Sequence, residues 1–242
     1  MKKIVLPFLL VCMHFYSIAQ EIDKAKALQL VENNKNATGL TSNTIQSSLV
    51  SAAYYNKTAG TEMVYLQQGY KGLPVYNQLL TLAFKNGQLV SKTGSFIQSI
   101  DKKTAGAADI PTQTAADAVR AVLAEKKLNS SSAIVSYSTS SAKKHFGKLG
   151  VAAEDITAEL IWVLVNEGKS VKLAWQVYLV PANSSDYWMV RVDANNNRIL
   201  EESNLTVYCY WGEGEAMHKA HTKATDPSVT AKNYFSWNGS SP

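Results

Sequence analysis

The chain has 242 residues, 24 basic against 19 acidic side chains and 46% hydrophobic content, enough to bury one sizeable core or two modest ones. A net charge of +5 is too mild to argue for a nucleic-acid partner. No stretch approaches the roughly 20 apolar residues that a membrane helix needs.

Met1-Lys2-Lys3, an apolar run from Ile4 to Tyr16 and the small-residue site Ser17-Ile18-Ala19 together describe a secretory signal peptide over residues 1–19, cut between Ala19 and Gln20. Cys12 is a poor lipidation site, because Val11 stands where a small residue is wanted. Losing the signal removes Lys2, Lys3 and Cys12, which brings the charge from +5 to +3 and leaves Cys209 without an internal disulfide partner. The mature protein is expected outside the cell, with no membrane attachment once the signal is gone.

Residues 21–57 read as a helical lead-in, with Asp23 as N-cap and Leu28 and Val31 on one face; from Thr41 to Tyr55 the pattern fits helix or strand. From Glu62 it turns to strand, with Val64, Leu66 and Tyr70 sharing one parity before Gly72-Leu73-Pro74 interrupts. A second strand follows over 75–84, in which Tyr76, Leu80, Leu82 and Phe84 should face one way. Asn86-Gly87 supplies a type I′ turn into a third strand through Leu89 and Val90. The polar stretch 98–111, with Lys102, Lys103, Gly106 and Pro111, suits a linker.

Beyond it, Thr114 with Asp117 resembles a capping box, and Ala115, Ala118, Val119, Val122 and Leu123 form a helical stripe that should end near Asn129. Residues 130–150, serine-rich and carrying Lys143, Lys144, His145 and Lys148, read as a solvated loop around one short strand at Ile134 to Tyr137. Strands are expected at 160–165, 173–180, 187–192 and 199–202. Trp162, Trp175 and Trp188 serve as packing anchors in preference to a ligand platform. From residue 204 the texture is loop-like and the composition is that of a chain that continues.

The fold class is therefore α+β, with two small units of antiparallel sheet plus helix: 20–100, a linker at 101–111, and 112–205, before a loop-like region at 206–242.

The run Tyr65-Leu66-Gln67-Gln68-Gly69-Tyr70-Lys71-Gly72-Leu73-Pro74-Val75-Tyr76-Asn77 resembles the signature of the fungalysin/thermolysin propeptide (FTP) family. The hairpin through Asn86-Gly87 and the closing Gly94-Ser95-Phe96 continue the likeness. A second resemblance, to the PepSY-type half of such pro-segments, lies in Leu173-Ala174-Trp175 and in Val190-Arg191-Val192-Asp193-Ala194. Where that half has Thr-Gly after the Ala, Asn196-Asn197 stands here, and Asn also tolerates a left-handed turn. The family-motif positions are Gln67, Gln68, Tyr70, Gly72, Pro74, Val75, Asn77, Asn86, Gly87, Gly94, Phe96, Trp175 and Asp193. The order of units favours the fungalysin branch.

A zinc peptidase needs His-Glu-x-x-His, so that two imidazoles one helical turn apart share a metal while the Glu activates its water. The histidines are His14, His145, His218 and His221, and none is followed by Glu. His218 and His221 beside Cys209 are too few ligands, in a polar tail, to make a site. Neither a Gly-x-Ser-x-Gly elbow nor a Cys/His pairing appears. The residues assign no catalytic, cofactor or metal role to this chain.

The resemblance implies a pro-segment that folds and inhibits, in cis, a metalloprotease catalytic domain placed after it; zinc would belong to that domain. Release would come by proteolysis in exposed segments such as Asp101 to Pro111 or beyond Asn204. The competing expectation is a free-standing secreted protein that binds or inhibits a protease in trans.

Overall fold

The computed structural model describes residues 20–137 and 143–207. After the two-residue edge strand β1 (Gln20–Glu21), the chain enters α1 (Lys24–Asn33), where Asp23 Oδ1 accepts from the backbone of Ala25 and Lys26. Next come the short helices α2 (Lys35–Thr38), stopped by Gly39 at φ 70°, and α3 (Ser42–Ser47), capped by Thr41. The ambiguous 41–55 segment thus divides into α3 and strand β2 (Leu49–Asn56). Strands β3 (Thr61–Tyr70), β4 (Leu73–Lys85) and β5 (Gln88–Gly94) complete the meander. Asn86 (φ 51°) and Gly87 (φ 76°) both adopt the positive φ that a type I′ turn requires.

The short helix α4 (Ile100–Lys103) follows, and then α5 (Ala115–Glu125), which carries the reciprocal Thr114–Asp117 capping box. α5 stops at Glu125, short of Asn129, because Lys127 turns left-handed at φ 55°. The strands of the second half are β6 (Lys143–His145), β7 (Thr157–Val165), β8 (Ser170–Leu179), β9 (Trp188–Asp193) and β10 (Ile199–Asn204). No strand forms at Ile134 to Tyr137. The edge of β7 is taken by β6, inside the stretch expected to be loop, and Tyr137 N–H reaches His145 O from outside it.

The sheet runs β1-β2-β3-β4-β7-β8-β9-β10, with β5 on β4 and β6 on β7. Its pairings are antiparallel except β4 with β7, a parallel contact registered at Val75 and Trp162. The fold is α+β with a mostly antiparallel sheet, and that sheet passes from one half to the other without a break. These elements lie in one compact unit ending at Thr206.

Two main cores form along it. In the first, Ala27, Val31 and Ile45 from the helices meet Val64, Leu66, Leu80, Leu82 and Phe84. In the second, Ala118, Val119, Val122 and Leu123 of α5 cover Trp162, Leu173, Trp175, Val177, Val190 and Val192, joined by Val75. The shared parity expected for Tyr76 with Leu80, Leu82 and Phe84 breaks. Asn77 sits at φ 59°, and the β3–β4 register jumps from Gln67↔Leu79 to Gly69↔Pro74, so β4 swings away from β3. Tyr76 packs instead with a third cluster, Ile161, Val163 and Ala174, while Val75 enters the second core. Trp162 and Trp175 are buried as expected of anchors; Trp188 is half-buried beneath the Lys126 ammonium, 3.3 Å from its ring centre.

Candidate functional site

The motif residues of β3 and β4 converge on the place where the two cores meet. Lys71 (φ 49°) and Gly72 (φ 77°) make the two-residue turn that lets Tyr70 pair with Leu73. Behind it, Gly69 is required because a Cβ there would lie 1.9 Å from Ser47 O, and Pro74, which has no N–H to give, sits opposite it. Gln67 Nε2 donates to Val75 O at 3.3 Å.

Gln68, only 3% exposed, clamps the chain that leaves β5: its Nε2 donates to Ile97 O at 3.0 Å and its Oε1 accepts from Ile97 N at 2.8 Å. The Tyr70 ring meets Trp162 edge-on at 5.3 Å, and Trp162 Nε1 donates to Tyr70 O at 3.0 Å. Tyr70 Oη bonds Asp101 and Thr104, which fixes α4 against the same point.

The remaining motif residues serve each half separately. Asn34 Nδ2 donates to Gly87 O and Asn34 Oδ1 accepts from Leu89 N, so the β4–β5 turn is held to α1. Gly94, at φ 90°, leaves no room for a side chain, since a Cβ would stand 2.1 Å from Leu79 O. Phe96 is buried in the first core.

In the second half, Trp175 Nε1 donates to Gln113 O, and Asn197 Nδ2 donates to Gln113 Oε1, pinning the entry of α5. Buried Asp193 accepts from Lys172 Nζ at 2.8 Å and from Asn195 N at 2.9 Å, while Asn197 takes φ 58° in the turn. The Asn-for-Gly departure therefore keeps the left-handed geometry.

Trp162, the partner of Tyr70, was expected only as a packing anchor, and Gly69, Gln113 and Arg191 were passed over as sites. Arg191 is fully buried mid-strand; it pairs with Glu201 at 2.8 Å and lies 3.9 Å over the Tyr76 ring. A charged residue flanked by Val190 and Val192 was the signal that could have marked it.

Near the second core, Asp155 accepts from Tyr137 Oη and faces His145 Nδ1 at 2.8 Å. Burial works to raise the Asp155 pKa, and the bonds from Tyr137, His145 and the Gly147 backbone together override it, holding the carboxyl below the usual range. Among the described residues, no group of three or more His, Cys, Asp and Glu is gathered to hold a metal. His14, His218, His221, Cys12, Cys209 and Ala19 lie outside the described residues, as do all residues beyond 207, where a loop-like region was expected. Gln20, on the far side of the expected cut, pairs with Tyr55. Among the described residues no helix is long and apolar enough to cross a membrane.

Residues 50–96 match the family model of the Fungalysin/Thermolysin Propeptide Motif. The matched span holds β3, β4 and β5 and most of the junction just described. A protease pro-segment role follows at that level. No curated protein matches the chain. Among solved structures, it is similar to the C-terminal domain of Bacillus megaterium YpeB, at 10% identity over 78% of this chain and 68% of that one, with a TM-score of 0.32.

Proposed function

We propose that this chain is the secreted pro-segment of a fungalysin-type zinc metalloendopeptidase, acting in cis as folding template and inhibitor of a catalytic domain that follows it. The propeptide match over residues 50–96 carries the reading. The second half is its PepSY-type partner in this reading, supported by the Trp175 and Asp193 clamps around the entry of α5. A covalently joined partner acts at an effective concentration on the order of millimolar, so modest contacts keep a cleft closed. Contacts made only with the folded enzyme also stabilise that fold by linkage. Zinc belongs to the enzyme and no residue of this chain is assigned to it.

The test begins with the gene beyond the codon for Pro242. A downstream His-Glu-x-x-His domain would be expressed alone, unfolded, and refolded with and without this chain supplied in trans. Recovery of peptidase fold only with the chain, and loss of peptide hydrolysis while the chain remains intact, are the expected results. Equal recovery and equal activity without it would overturn the reading, and a stop codon would leave only inhibition in trans.

A further inference from the structure

A cavity of about 350 Å³ opens between the segment that leaves α4 and the start of β8. It exists because Ala105-Gly106-Ala107-Ala108 carry no side chain larger than a methyl, and Gly106, at φ 80°, has no atom within 4 Å of where a Cβ would stand. Its floor is apolar, formed by Val171 and Leu173 of the second core, on which Ala107 also packs. Its far wall is the turn after β9, with Asp193, Asn195 and Asn196. These walls are held in place: Lys103 Nζ donates to Gly168 O, Thr112 Oγ1 to Asn195 O and Gln113 N to Ala194 O, so the connecting segment is tied to the turns on either side.

The polar groups around this space are mostly donors with capacity to spare. Gly106 N–H and Ala108 N–H donate to nothing among the described residues. Lys103 and Lys172 both line the cavity, and each three-hydrogen ammonium donates to one acceptor among the described residues, Gly168 O and Asp193 Oδ2 respectively. Against these two cations the lining has one carboxylate, that of buried Asp193, which already accepts from Lys172 at 2.8 Å and from Asn195 N at 2.9 Å. The balance of charge favours an anion. One acceptor on the same wall is idle: Asn195 Oδ1 is buried with no donor, a state that a ligand N–H would relieve.

We propose that this cavity binds the C-terminal residue of a peptide. Its carboxylate lies against the Lys103 and Lys172 ammonium groups and the Gly106 and Ala108 N–H groups, its own N–H donates to Asn195 Oδ1, and a small side chain rests on Val171 and Leu173. Capture of a terminal carboxylate by main-chain donors is a recurring mode of peptide recognition. Ligand cavities run from about 300 to 1,000 Å³, so this one, at the low end, suits a residue or two with small side chains. A bare anion would leave the Asn195 acceptor and the apolar floor unused. Because the ligand touches the connecting segment and the sheet at once, its binding stabilises their contact by linkage. Hydrolysis of any peptide bond creates such a terminus, which would let a protease pro-segment respond to product; that purpose rests on the pro-segment reading, and the binding does not.

The probe is N-acetyl-alanyl-alanine, titrated into the whole purified chain and followed by amide NMR, with its C-terminal amide and sodium acetate as comparisons. The expected result is saturable shifts at Gly106, Ala108 and Lys172 with a Kd of about 1 mM, and binding of the amide weaker by about tenfold or more, because it lacks the charge. Acetate, with neither N–H nor side chain, should also bind more weakly. Lys103→Met should weaken the free acid about tenfold, and Asn195→Leu should bring it toward acetate, with thermal unfolding showing that each variant is folded. Equal affinity for acid and amide would overturn the proposal, as would shifts confined to other residues, no shift at about 10 mM ligand, or two folded variants that bind like the native chain. Acetate bound as tightly as the dipeptide would reduce the site to a simple anion site and overturn the peptide assignment. None of these outcomes bears on refolding or inhibition of a peptidase, so the pro-segment reading stands or falls separately.

Discussion

Replacing Gln68 tests whether the motif acts through its hydrogen bonds or through its bulk. Its amide satisfies both main-chain groups of Ile97, at 3.0 and 2.8 Å, from a position 3% exposed. In Gln68→Ala the N–H and C=O of Ile97 lose their partners, at a cost of about 1–3 kcal/mol each. Partial rehydration of Ile97, which is not fully buried, offsets some of this, and we expect a loss of about 2–4 kcal/mol. With a urea dependence of about 2–3 kcal/mol/M for a body of this size, the midpoint of unfolding should fall by about 1 M. Gln68→Met keeps the length and removes both bonds, so it should lose nearly as much. The assay is urea denaturation followed by tryptophan fluorescence, with hydrogen exchange at the Ile97 amide as the local readout. A Gln68→Met protein within about 0.5 kcal/mol of native, with Ile97 still protected, would refute the reasoning.

Gly94→Ala should be far more damaging than Gly87→Ala: both need positive φ, but only at position 94 does a new Cβ meet backbone, 2.1 Å from Leu79 O. The expected costs are about 1–2 kcal/mol at Gly87, and more than about 3 kcal/mol or failure to fold at Gly94, read from thermal unfolding. Thr114→Ala removes the capping-box oxygen at the start of α5 and should cost about 1 kcal/mol by the same measurement. Asp155 has a folded pKa below its unfolded value, so its contribution is present above about pH 4 and is lost as pH falls through the folded pKa. The Tm difference between native protein and Asp155→Asn should thus be constant near neutrality and close toward pH 2; a gap that persists at pH 2 would contradict this.

What could be read from the sequence is local. Asn86-Gly87 declares its turn because few other pairs accept positive φ twice, and Thr114 with Asp117 declares a helix start because both halves of the capping box lie within one turn. The stripe of α5 and the alternation of β3 follow from the same short-range periodicities. What stayed hidden depends on partners distant in the chain. Tyr76 leaves the face of Leu80 because β4 swings to meet β7, and nothing in residues 73–85 alone announces a partner at Trp162. β6 could not be foreseen at Lys143 to His145 because an edge strand with three exposed or half-exposed polar residues has no apolar alternation. The candidate site was visible as a resemblance over Gln67 to Asn77, but Trp162, Gly69 and Gln113 were passed over, and the indole bond from Trp162 to Tyr70 spans 92 positions and has no sequence signature.

That distance explains why so specific a run of residues is concentrated at one turn. β4 pairs with β3 and β5 along its length and must still offer one residue to β7, which a regular strand cannot do without turning away from β3. Asn77 permits the turn, Pro74 gives up a donor that the crowded edge has no use for, and Gly69 lets α3 approach. The joint so made combines one registered pair, one indole bond and one aromatic contact with apolar burial: Val75, Tyr70 and Leu73 pack on the second core, and Tyr76 packs on Ile161, Val163 and Ala174 beneath Arg191.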